Sequence, residues 1–121
     1  MRKIRIIGGE GGYSVTIGAG LLDFAGKYIR EAAGGETAAI VSDDTVFPLY
    51  GDRLASSLRG AGYNVVSFII KSGEASKNAE NYIALLNFLA SSGLTRSDVV
   101  AALGGGVTGD LAGFAAATFL R

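Results

Sequence analysis

Cysteine and histidine are both absent from the 121 residues. Without a thiol the chain has no disulfide and no thiolate nucleophile, and without imidazole it lacks the commonest acid–base group and any ordinary zinc site. Chemistry carried by this chain must come from carboxylates, lysines, hydroxyls and backbone. An excess of charge is missing too: eleven basic and eleven acidic residues cancel, and no basic cluster offers an electrostatic footprint for nucleic acid. A secretory leader is not evident, since Ile4 to Ile7 runs straight into Gly8-Gly9-Glu10, too short and too quickly polar for the apolar part of a signal peptide. The expectation is a soluble, cytoplasmic protein with no nucleic-acid and no membrane partner.

Apolar residues and glycine are plentiful. A 49% hydrophobic content over this length suits one small domain, residues 1–121, with a real core and a modest margin of stability. Nineteen glycines exceed the usual share of about 7%, but they punctuate apolar segments without forming a repeat.

Taken in order, Arg2 to Ile7 and Tyr13 to Ile17 read as two antiparallel strands around the glycine-rich turn Gly8 to Gly12. Leu21 to Ala33 has Leu21, Leu22, Ala25, Tyr28, Ile29 and Ala32 at helical spacing, stopped by Gly34-Gly35. Thr37 to Val41 is a buried strand, followed by a helix with Pro48 near its start and Val46, Leu49, Tyr50, Leu54, Leu58 and Ala61 on its apolar face. Asn64 to Ile70 is the next strand. Ser72 to Lys77 opens a helix to about Ser92 with Ala79, Tyr82, Ile83, Leu86, Leu89 and Ala90 inward. Val99 to Leu103, short, partly β-branched and without polar alternation, reads as a fully buried parallel strand, and a small-residue helix follows it. The order ββ-α-β-α-β-α-β-α predicts an α/β fold: a Rossmann-like parallel sheet with helices on both faces, preceded by an N-terminal β-hairpin.

Ligands of such sheets sit at the carboxyl ends of the strands, where three polar loops fall: Ser42 to Thr45, Lys71 to Lys77 and Gly104 to Asp110. In the last, Gly104-Gly105-Gly106 would let backbone N–H groups approach a phosphate, with the positive end of the next helix behind them. Gly104, Gly106 and Gly109 fit G-x-G-x-x-G, a weak pattern without its downstream acid. Two other readings of Val99 to Leu120 are tight strand-to-helix packing with Asp110 as a first-turn anion, and a membrane helix with the small-residue ladder Gly105, Gly109, Gly113. Asp43 and Asp44 could cap the second helix or accept the hydroxyls of a ribose, with Asp43 the better placed. Lys77, a cation at a helix start, invites an anionic ligand or pairs with Glu74.

The segments IVSDDTVFPLYG, SGEASK and GLTRSDVVAALGGGVTGDLAGFAAATFLR, in that order, resemble the amino-terminal domain of the 3-dehydroquinate synthase family over the whole chain. The resemblance implies NAD as cofactor. It puts Asp43 and Thr45 near the adenosine end, and Glu74 and Lys77, with Ser72 and Gly73 of the same segment, at the adenine ribose and phosphate. Gly105, Gly106, Val107, Thr108, Gly109 and Asp110 would hold the pyrophosphate and reach the nicotinamide ribose. Family members act in the shikimate pathway of aromatic amino acid biosynthesis as carbon–oxygen lyases. NAD transiently oxidises a seven-carbon keto acid phosphate, phosphate leaves, the ketone is reduced back, and aldol closure gives 3-dehydroquinate.

In the family the chain continues into a Pro-Thr-Thr segment and a helical carboxy-terminal domain. That domain brings a Glu and two His for a divalent metal, zinc or cobalt, and the basic residues for the phosphorylated sugar acid. The resemblance therefore implies a separate or truncated NAD-binding domain, inactive alone. A related sugar-phosphate cyclase and a non-catalytic interaction domain are the alternatives. The helix from Leu111, apolar nearly all round with Leu111, Phe114, Ala115, Thr118 and Phe119 at helical spacing, predicts a homo-oligomer built on Leu111 to Arg121.

Overall fold

The structure, a computed structural model, describes residues 2–6, 13–17 and 20–119. It opens with β1 (Arg2–Ile6) and β2 (Tyr13–Ile17), paired antiparallel from Arg2 opposite Ile17 to Ile6 opposite Tyr13. This is the expected hairpin, whose Gly8 to Gly12 turn lies outside the described residues. A 3-10 turn (Leu21–Phe24) then leads into α1 (Ala25–Ala32), so the single helix expected from Leu21 is in two pieces.

The remaining elements are β3 (Thr37–Asp43), α2 (Phe47–Gly60), β4 (Asn64–Ile70), a 3-10 turn (Glu74–Ser76), α3 (Ala79–Ser91), β5 (Val99–Leu103) and α4 (Gly106–Thr118). The three later strands form a parallel sheet in the order β4-β3-β5, with Thr37 opposite Asn64 and Ala38 opposite Val99. The central strand β3 is buried from Ala38 to Ser42, and its side chains alternate between two cores. Ala38 and Ile40 join Leu54, Ala55, Leu58 and Tyr63, on the face covered by α1 and α2. Ala39 and Val41 join Leu85, Leu89, Leu111, Ala112 and Ala115, on the face covered by α3 and α4. Helices on both faces of a parallel sheet are the predicted α/β, Rossmann-like architecture.

Several faces differ from expectation. In α2 the buried stripe is Gly51, Leu54, Ala55 and Leu58, while Leu49 and Tyr50 are exposed. The Phe47 ring packs where a side chain at Gly51 would sit, 2.4 Å from an added Cβ. In α3 the inward residues are Leu85 and Leu89, and Ile83 is exposed; a helix apolar at so many positions gives no sharp phase. β5 is parallel as expected but lies at an edge among the described strands, so only Val99 is buried and Ala102 is exposed. The membrane reading of Val99 to Leu120 fails because strand and helix divide it; among the described residues no helix is long and apolar enough to cross a membrane.

Candidate functional site at the carboxyl edge of the sheet

The three polar loops meet, and a ring of contacts holds them. Between β3 and β4, the Ser72 backbone N–H donates to Asp44 Oδ1 at 2.8 Å and the Thr45 hydroxyl donates to Ser72 Oγ at 2.9 Å. Between β3 and β5, the fully buried Ser42 hydroxyl donates to the Leu103 carbonyl at 2.7 Å. The ring closes between the β4 loop and α4, where Lys77 Nζ donates to Asp110 Oδ2 at 2.9 Å.

Asp43, the last residue of β3, uses one oxygen locally: Oδ1 accepts from the N–H groups of Thr45 at 2.9 Å and Val46 at 2.7 Å. This is the expected turn-fixing role at the start of α2. Its Oδ2 turns toward β5, 3.6 Å from where a Cβ on Gly104 would stand. Gly104 itself has φ of 150°, which disfavours a side chain. A carboxylate thus stands beside the glycine turn. Asp44 is a clamp between loops. The hydrogen bond from the Ser72 backbone holds its carboxyl below the usual aspartate range.

Gly105, Gly106 and Gly109 are different from Gly104: an added Cβ would meet no protein atom within 4 Å at any of them. At these three positions the side-chain direction is open. The helical ladder of α4 begins with Gly109 N–H donating to the Gly105 carbonyl at 3.1 Å, so the N–H groups of Gly106, Val107 and Thr108 precede it. No side chain caps this end and no acid lies in its first turn. Asp110, expected there as a dipole-favoured anion, is the fifth helical residue and pairs with Lys77 instead. Val107 is half-buried and Thr108 buried, so these two anchor the turn to the core while the glycines stay open.

The segment Ser72 to Lys77 is not the start of a long helix. Gly73, with φ of 114°, turns the chain into the 3-10 turn, Lys77 closes that turn, and Asn78 begins α3 by accepting from the Asn81 N–H at 2.8 Å. Asn78 was legible as a cap preceding an apolar run, but the acid–base pattern of SGEASK drew the boundary six residues too early. Lys77 pairs with Asp110 and not with Glu74. The Asp110 hydrogen bond and charge, with a smaller pull from Glu74, hold the ammonium pKa above its ordinary value.

Beside the ion pair a cleft of about 320 Å³ opens between α3 and α4, lined by Lys77, Ala79, Tyr82, Asp110, Leu111 and Phe114. A larger hollow of about 490 Å³ lies between α1 and the C-terminal half of α2, away from these loops. Two of its charged groups are engaged: Arg30 donates to the carbonyls of Ala61 and Gly35 and lies 3.7 Å over the Tyr63 ring, and Asp23 pairs with Arg53 at 3.1 Å. Among the described residues no three carboxylates, or other metal-ligating groups, converge to hold a metal ion.

Comparison with known proteins gives this geometry a context. Residues 67–121 match the family model described as 3-dehydroquinate synthase N-terminal. The whole chain is 40% identical to 3-dehydroquinate synthase from Clostridium acetobutylicum, of which it covers 34%. Over 119 residues it is 44% identical to that of Citrifermentans bemidjiense, covering 33%. The chain thus spans about a third of the length of these curated relatives. Among solved structures, 2-deoxy-scyllo-inosose synthase superposes on 99% of the chain with a TM-score of 0.87 at 23% identity, the match covering 34% of that protein. The 2-epi-5-epi-valiolone synthase of Streptomyces hygroscopicus, solved with NAD+ and Zn2+ bound, matches 98% with a TM-score of 0.75 at 31% identity, over 32% of its own length. Fold, loop order and sequence similarity agree in making the chain similar to the amino-terminal part of 3-dehydroquinate synthases.

Proposed function

We propose that residues 1–121 form one dinucleotide-binding domain that takes NAD at the carboxyl edge of the sheet. The observation that carries the reading is the open space beside Gly105, Gly106 and Gly109, at a helix start that no side chain caps, with Asp43 beside Gly104 and Lys77 paired to Asp110. A pyrophosphate suits the N–H groups of Gly106, Val107 and Thr108. The second oxygen of Asp43 suits ribose hydroxyls, with Thr45, Ser72, Gly73 and Glu74 completing that end and Lys77 and Asp110 flanking the phosphates. The 2-epi-5-epi-valiolone synthase with bound NAD+ supports the same ligand here.

When bound, NAD supplies reversible hydride acceptance. The activity proposed for the parent enzyme is 3-dehydroquinate formation in the shikimate pathway, by phosphate elimination from a seven-carbon keto acid phosphate. Identities of 40% and 44% to 3-dehydroquinate synthases, against 31% to the valiolone synthase, favour this substrate over other sugar phosphates. The chain alone has no histidine and brings no metal-binding cluster together among its described residues. It is therefore proposed to be inactive by itself, the divalent metal and the phosphorylated sugar acid being bound by other parts of the enzyme. Self-association through α4 completes the proposal.

Calorimetric titration tests it. NAD should bind the folded chain weakly, because contacts to only part of the ligand are present. A Cβ added at Gly106 has no neighbour within 4 Å, so Gly106→Val should keep the fold, fill the cradle and weaken binding at least tenfold. Unchanged NAD affinity in Gly106→Val would remove the site from this loop.

A further inference from the structure

Lys77 and Asp110 satisfy one another beside the glycine turn proposed for the ligand's phosphates. Resting on the NAD reading above, we propose that Asp110 is a positioning residue that parks Lys77 in a neutralised pair, so that an incoming pyrophosphate competes with Asp110 for the ammonium group.

The geometry sets up that competition. Lys77 Nζ lies 2.9 Å from Asp110 Oδ2, with about half of each side chain in solvent (49% and 61%). A wet pair of this kind opens readily. The lysine stem is flexible and carries three donors, so it can exchange a carboxylate oxygen for a phosphate oxygen without moving the backbone. The start of α4 offers an anion its free N–H groups, yet its charge environment is balanced: Asp110 repels a phosphate and Lys77 attracts it. Glu74 also acts on Lys77, and Asp43 stands beside Gly104. Neutralising Asp110 alone shifts the balance toward the phosphate and releases Lys77 to meet it.

ADP separates this effect from any contact Asp110 makes with the nicotinamide ribose, since it carries the pyrophosphate without that sugar. In calorimetry on the 121-residue chain at low salt, Asp110→Asn should bind ADP about two- to fivefold more tightly than the unaltered chain, the span expected for an exposed pair. Asp110→Ser should change affinity in the same direction. The gain should disappear in a Lys77→Met background and at high salt, and Asp110→Glu, which restores the charge, should return affinity toward the starting value. If the unaltered chain binds ADP and NAD but Asp110→Asn and Asp110→Ser bind ADP equally or less well, the competition is wrong and the site assignment stands. If the folded, unaltered chain binds neither ligand, both fall.

Discussion

The backbone N–H of Ser72 reaches Asp44 Oδ1 at 2.8 Å, a bond between residues 28 apart in sequence that ties the loop after β4 to the loop after β3. This bond is the largest cause of the lowered Asp44 pKa. A carboxyl with a lowered folded pKa contributes stability that is fully present above its ordinary value of 3.8 and is lost as pH falls through the folded value. Asp44→Asn should therefore melt slightly below the unaltered chain at neutral pH, and the gap should close in acid well below 3.8. A gap unchanged between neutral pH and strong acid would show that the charge does not hold the clamp. Because Ser72 is also a proposed NAD residue, the same variant should bind NAD more weakly at neutral pH.

Asp98 performs the corresponding task at the opposite edge of the sheet. Its Oδ1 accepts from the backbone of Glu36 at 2.8 Å and Thr37 at 3.0 Å, and its Oδ2 accepts from the Thr95 N–H at 2.8 Å. Burial alone would raise its pKa, but the bonds from Thr37, Thr95 and Glu36 outweigh it and hold the carboxyl below the ordinary 3.8. Asp98→Ala leaves three N–H groups to water and should lower stability at neutral pH by about 1–2 kcal/mol, a charge-assisted range discounted for solvent access. Denaturant midpoints should converge as pH falls through the lowered folded value. A neutral-pH midpoint equal to that of the unaltered chain would refute this role.

Sequence reasoning recovered what depends on local period and punctuation. The unbroken apolar run from Ala38 to Val41 gave a buried strand, and the polar segments after each parallel strand located the edge where the loops meet. Contacts between distant residues carry no such signal. Ser72 with Asp44, and Lys77 with Asp110, are joined only because the sheet brings their loops together, so Glu74 was the one side-chain partner that sequence spacing offered Lys77. Phase was lost where it was weakly written: Tyr82, Ile83, Leu85, Leu86, Phe88 and Leu89 follow so closely that almost any face of α3 looks apolar. The 3-10 turn at Glu74–Ser76 was missed because its residues suit a first helical turn equally well.

Two helical glycines should respond oppositely to alanine. At Gly26 an added Cβ would lie 2.0 Å from the Ser57 carbonyl oxygen and 2.5 Å from its carbon, where α1 crosses α2 and the Gly26 N–H donates to Ser57 Oγ at 2.8 Å. At Gly113 nothing lies within 4 Å. Helix propensity favours alanine by up to about 1 kcal/mol at either position, but forcing α1 and α2 apart costs about 1–3 kcal/mol. Gly26→Ala should destabilise and Gly113→Ala should stabilise in urea titrations. A stabilising Gly26→Ala would mean that the α1–α2 crossing is loose.

The outer side of α4 bears on how the chain associates. Leu111, Ala112 and Ala115 are buried against the sheet, whereas Phe114 is 59% exposed although its ring lies 4.7 Å from that of Tyr82. Gly113, Ala116 and Ala117 are exposed with it, so this face offers water few polar side chains. Phe119 is half-buried, and Leu120 and Arg121 lie outside the described residues. Full burial of a phenylalanine is worth about 1.5–3 kcal/mol, and a two-fold contact that covers the exposed part of Phe114 on both chains adds a share of that twice, together with the neighbouring apolar surface, toward a dimer at high concentration. Light scattering should find a mass that rises with concentration, and Phe114→Glu, which places like charges against one another across the two-fold axis, should hold the chain monomeric with an unchanged circular dichroism spectrum. If the unaltered chain stays monomeric at high concentration, the outer face of α4 does not drive association.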